Sequence, residues 1–110
     1  MKYRKTKTYK LAMEVLIRSK DNYKHWPRGN GYLVDQIRRA SSSVVFNLAE
    51  GNGKRGKKER KRFFRMAKAS VCEMAAIYDV AYHLELIDGA EDTIMQDKLD
   101  HLAALLELYQ

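Results

Sequence analysis

The chain predicts an all-α fold, an up-down-up-down antiparallel four-helix bundle, on three observations. Apolar residues recur at spacings of three and four along four segments, and no segment shows the period of two that marks a half-buried strand. Short breaks separate the segments, each break carrying Gly and the first also the single Pro, which favours antiparallel neighbours. The composition, 45% hydrophobic and 32% charged with a single proline, is that of a folded, helix-rich chain. At 110 residues, one domain with one core is expected across residues 1–110.

The first segment, roughly Thr8 to Tyr23, carries Tyr9, Ala12, Leu16, Ser19 and Tyr23 on one stripe, and "KHWPRGNG" then breaks it. Trp26 is expected to pack this first loop over the end of the bundle. The second segment, roughly Tyr32 to Glu50, buries Val34, Ile37, Ser41, Val44 and Leu48, with Gly51 as the residue that ends it in a left-handed conformation. The third, roughly Lys57 to Ile87, repeats Phe64, Ala67, Val71, Met74, Tyr78 and Ala81 and ends in "IDGAED". The fourth, roughly Ala90 to Leu108, carries Met95, Leu99, Leu102, Leu106 and Tyr109.

Charge is divided along the chain. Residues 1–68 hold 20 of the 21 Lys and Arg and 5 of the 14 Asp and Glu, leaving +15 there and −8 in residues 69–110. This asymmetry points to a polyanionic partner or to a basic surface that meets an acidic one. The single cysteine, Cys72, excludes a disulfide within the chain and is expected to be a small buried hydrophobe. The basic start "MKYRKTKTYK" is followed by a run that Glu14 and Arg18 interrupt. No stretch approaches the ~20 apolar residues of a membrane span, so a cytoplasmic protein without membrane contact is expected.

Gly51 to Lys58 reads G-x-x-x-x-G-K-K, close to a phosphate-binding P-loop. A P-loop needs a preceding strand and a Ser or Thr after the Lys. Here a helix precedes the glycines and Lys58 replaces the hydroxyl, so they are read as a turn. On a helical wheel Lys58, Lys61, Arg62 and Arg65 fall on one outer stripe, with Lys54, Arg55 and Lys57 at its entrance and Phe63 on the opposite side. Like charges at these spacings repel, and cations at a helix N-terminus oppose its dipole. A solvated face and a subunit contact are competing readings, and binding to nucleic-acid phosphate is the sharpest, because it accounts for the tolerated cost.

Other residues carry less. Phe46 falls on the far side of the second helix and is read as a subunit contact. Ser41, Ser42 and Ser43 permit close helix approach, and no His or Asp stands where a triad would need it. His25, His83 and His101 are scattered and suggest no metal site. Glu73 is a candidate outward partner for an Arg. No constellation of titratable groups suggests an enzyme or a cofactor.

The stretch "QIRRASSSVVFNLAEGNGKRGKKERKRFFRMAKAS", Gln36 to Ser70, resembles the 23S ribosomal RNA intervening-sequence proteins. Gln36, Arg38, Arg39, Ala40, Ser43, Asn47, Ala49, Glu50, Gly51, Phe63 and Ser70 match the family pattern, and Trp26-Pro27 stands where its members have an aromatic-Pro pair. Val45 replaces a frequent Pro, Leu48 an Ile and Ala69 a Gly. The resemblance implies a four-helix protomer, a homopentameric ring and a non-enzymatic role tied to RNA; the expected partner is the backbone of RNA or DNA, RNA before DNA. It extends to the accessory variability determinant of diversity-generating retroelements, which implies a reverse transcriptase as an alternative partner. An adaptor that grips an acidic protein is a further alternative. Asn47, Glu50 and Gly51 are read as organising the corner between the second and third helices, and Arg39 as pairing with Ser43, Glu50 or a neighbouring subunit.

Overall fold

The computed structural model describes residues 1–109. A short 3-10 turn, Lys2–Lys5, precedes four helices: α1 Lys7–Tyr23, α2 Gly31–Gly53, α3 Lys57–His83 and α4 Gly89–Glu107. Among the described residues there is no strand. Each helix packs on the next and α1 also packs on α4, which closes the bundle into a rod of 44 × 23 × 21 Å. At about 1.5 Å per residue, α3 runs nearly its whole length.

The apolar stripes meet along the axis. Ile37, Val44 and Leu48 from α2, Phe64 to Ala81 at helical spacing from α3, and Met95, Leu99, Leu102 and Leu106 from α4 are buried in one cluster. Each such side chain withdrawn from water contributes about 1.5–3 kcal/mol. α1 differs from expectation. It buries Thr8, Ala12, Val15 and Ser19, while Tyr9, Leu16 and Tyr23 are half-buried, because α1 faces two neighbours and the centre of its stripe is Val15. Trp26 packs on the core, edge-on to Tyr23 at 6.5 Å between centroids.

Three expectations at helix ends and surfaces are corrected. α2 does not stop at Gly51: it continues to Gly53, and Gly51 is buried inside it. A Cβ on Gly51 would lie 2.6 Å from the Phe64 ring, so this glycine serves close helix approach, not chain reversal. α3 ends at His83, short of Ile87, and Glu85 takes the left-handed conformation at φ 63°. The Leu86 amide donates to the Ala81 carbonyl at 2.9 Å and the Glu85 amide to the Tyr82 carbonyl at 3.0 Å, a Schellman ending built on Glu in place of Gly. Cys72 is exposed, on the solvent side of the turn whose inner residue is Val71.

Candidate nucleic-acid interface

One end of the rod gathers chain segments that are distant in sequence. The C-terminus of α2 touches the start of α3, where the Gly51 backbone lies under Phe64. Phe64 packs on Tyr109, just beyond α4, with ring centroids 4.6 Å apart. The Tyr109 hydroxyl donates to Thr8 Oγ1 in the first turn of α1 at 3.3 Å. Before α1, Thr6 Oγ1 accepts the Tyr9 amide at 3.2 Å, and Tyr3 packs edge-on to Tyr9, which holds the basic start of the chain against α1.

Lys2, Arg4, Lys5, Lys7 and Lys10 are therefore brought to the same end as Lys54, Arg55, Lys57, Lys58, Arg60, Lys61, Arg62 and Arg65. Among the described residues, Lys54 and Arg62 alone of these have a carboxylate within ion-pair distance, Glu50 at 3.9 Å and Glu59 at 3.4 Å. Both cations also lie over the Phe63 ring, at 5.2 Å and 4.8 Å from its centroid. Phe63 is thus half-buried beneath cations and is not placed opposite them.

Around the other side of α3, Arg55, Lys57, Arg60 and Lys61 line a notch of about 340 Å³ together with Phe64 and Tyr109. The notch lies at the start of α3, where Gly56 provides no side-chain cap. Its first backbone N–H groups and the positive end of the dipole add to the side-chain charge. Lys58 and Arg65 are exposed on the surface between these two sides.

The motif residues that resemble the known family lie elsewhere. Asn47 does not reach the corner: its amide donates to the Ser43 carbonyl and to Ser43 Oγ, both at 2.9 Å, and Ser70 Oγ donates to Ser43 Oγ at 2.9 Å. This small polar contact joins α2 to α3. Arg39 pairs with Glu73 at 2.9 Å, so Glu73 is the outward partner expected and Arg39 has neither Ser43 nor Glu50. Arg38 is exposed beside it. Glu50 reaches Lys54, and the corner itself is closed by Asn52, whose amide donates to the Leu48 carbonyl at 2.8 Å.

The α2–α3 face has a second feature. The contacts Arg39–Glu73, Ser43–Ser70 and Gly51–Phe64 set an antiparallel register. That register carries Phe46 beside Met66 and Tyr32 beside Val80. Phe46 is 66% exposed, Tyr32 56%, and Met66 and Val80 43% each. Large apolar side chains thus lie on the outward side of two helices whose inward sides already form the core.

At the opposite end one ion pair is held by several hydrogen bonds. Arg18 donates from Nε and Nη2 to the Glu91 carboxylate, both at 2.7 Å. Asn22 donates to Glu91 and to the Tyr78 hydroxyl, each at 3.0 Å, and that hydroxyl donates to Ser19 at 3.0 Å. The Arg18 hydrogen bonds hold the Glu91 carboxyl below the usual carboxylate range, and burial raises the Tyr78 hydroxyl above that of a free tyrosine.

Sequence reading found seven cations of the basic end but missed Arg60, Tyr109 and the five of the N-terminal segment. The signal for the last was present, since an up-down-up-down bundle must bring the start of α1 to the α2–α3 corner.

Fold and charge together define a small basic four-helix bundle with cations gathered at one end, most of them without a carboxylate partner among the described residues. A family model described as the 23S rRNA-intervening sequence protein matches residues 4–107, and the chain belongs to that family. No curated protein matches the chain. Among the described residues, no helix is long and apolar enough to cross a membrane.

Proposed function

We propose that this protein is a non-enzymatic RNA-binding accessory protein that self-associates and holds RNA by its phosphate backbone at the basic end. The observation that carries the reading is the convergence of the N-terminal cations and the start of α3, most of them without a carboxylate partner among the described residues. An isolated fold has no use for this arrangement, since each like-charge neighbour costs a few tenths of a kcal/mol. Neutralising phosphates and releasing their counterions offsets that cost. The family's description, which names a ribosomal RNA element, supports RNA over DNA.

Self-association is assigned to the α2–α3 face. Phe46, Met66, Tyr32 and Val80 would leave water on meeting a second copy, while the Arg39–Glu73 pair fixes register. A pentameric ring, implied by the family resemblance, would present five basic ends and raise avidity well above single-site affinity.

The test measures affinity for a labelled RNA and its matched DNA across a salt series, for the native protein and for a Lys58, Lys61, Arg62 and Arg65 to Ala variant. Steep weakening with salt in the native protein, and a shallower slope in the variant, is the expected result. No binding by the native protein at low salt overturns the reading. An acidic protein, a reverse transcriptase among them, would then be the partner to seek for the same cations.

A further inference from the structure

The notch at the start of α3 does not resemble the rest of the basic end. Lys54 and Arg62 are partly neutralised by Glu50 and Glu59, and lie over Phe63. Arg55, Lys57, Arg60 and Lys61 have no carboxylate partner among the described residues, although Glu59 precedes Arg60 directly. They surround a concavity, not an open ridge, and an aromatic residue from the far end of the chain, Tyr109, forms part of its wall.

Resting on the RNA-binding reading, we propose that this notch is a site for one unpaired nucleotide of a single-stranded RNA. Its phosphate lies among Arg55, Lys57, Arg60 and Lys61, and its base lies against Tyr109. The volume of about 340 Å³ is at the small end of ligand pockets, which begin near 300 Å³, and suits one nucleotide. Four cations and an uncapped helix N-terminus suit a phosphate. Phosphate alone would need no aromatic wall, whereas a base offers a face on which any aromatic ring can stack. A base within a duplex has both faces covered by its neighbours, so the notch discriminates between single strand and duplex, which the open ridge does not. The ridge supplies general affinity and the notch supplies preference for unpaired RNA.

Two RNAs test this, a single-stranded octamer and a longer, fully paired duplex, each read as the ratio of variant to native affinity so that the difference in phosphate number cancels. They are titrated at low salt into the native protein, Tyr109→Ala, Tyr109→Trp, and a Lys58→Ala, Arg65→Ala double variant outside the notch. Tyr109→Ala is expected to lose about tenfold in affinity for the single strand and to leave the duplex within twofold. Tyr109→Trp keeps a ring against Phe64, retains single-strand affinity, and its emission is quenched by the octamer more than by the duplex. The double variant weakens both RNAs alike. Equal losses for both RNAs in Tyr109→Ala, or a Trp emission that neither RNA changes at saturation, overturn the notch and leave the ridge standing. Should Tyr109→Ala lose helical circular dichroism, the Trp quench decides. If the native protein binds neither RNA, the RNA reading itself fails and the notch with it.

Discussion

Where α3 hands over to α4, Asp88 accepts the Glu91 amide at 2.8 Å, and Glu91 and Asp92 occupy the first turn of α4. Acid at a helix N-terminus follows the dipole, and the carboxylate of Glu91 is met by Arg18 and Asn22. At the other end of the rod α3 starts on Gly56 without a side-chain cap, with Lys57, Lys58 and Arg60 in its first turn and Glu59 as the single acid there. The same chain thus starts one helix by the rules of local stability and another against them. Helix stability does not account for the second choice, and the proposed polyanionic ligand would.

This comparison can be broken most forcefully at the basic end. Replacing Arg55, Lys57, Arg60 and Lys61 by Ala is expected to lower RNA affinity about a hundredfold or more at low salt, since each phosphate contact adds roughly 0.7–0.9 to the salt slope. Its thermal midpoint should stay level or rise, because repulsion is relieved and Ala is a better helix former. A variant that binds as the native protein does would mean these cations face no phosphate.

Gly51→Ala tests the packing beneath that end. The added methyl meets a Phe64 ring that is buried and packed against Tyr109, so a loss of about 1–3 kcal/mol in denaturant unfolding is expected. If Gly51 were merely a terminal residue, Ala would be tolerated.

The Arg18–Glu91 pair should respond to acid. The Glu91 carboxyl is depressed in the folded protein by its bonds from Arg18, so its contribution is present above the unfolded value, about 4.3, and is lost as pH falls through the folded value. Arg18→Ala should weaken this acid dependence, leaving the smaller part owed to Asn22, and cost about 1–2 kcal/mol at neutral pH, while RNA affinity is unchanged. Acid unfolding curves of the two proteins supply the check. The smallest effect is at Glu85, whose left-handed backbone a glycine would adopt freely. Glu85→Gly should add about 0.5–1 kcal/mol of stability, read as a raised thermal midpoint.

The helices and most of the core were legible because burial imposes a 3-and-4 period that tolerates few exceptions. Phe64, Met74, Leu99 and Leu106 are buried as that period demands. The ends were less legible because several chemistries share them. Gly51 has the residue type of a helix stop, but only the approach of Phe64 reveals its use. Glu85 ends a helix where sequence habit looks for Gly, and tertiary contacts around Leu86 and Ile87 overrode propensity. Cys72 was misread because its neighbour Val71 is buried, yet adjacent helical positions differ by about 100° in direction. For the basic end, the stripe on α3 was readable as a pattern. The notch was not, because Tyr109 joins Arg60 and Lys61 only through the closure of four helices.

The central claim, that RNA is held at one end and not the other, is tested most directly by backbone hydrogen exchange of the whole protein with and without a single-stranded RNA. Protection gathered in residues 1–10 and 54–65, with residues 79–92 unchanged, is the predicted result, since the uncapped amides at the start of α3 exchange freely until a phosphate meets them. Protection centred on residues 79–92 or along α4, with the start of α3 unaffected, would contradict it.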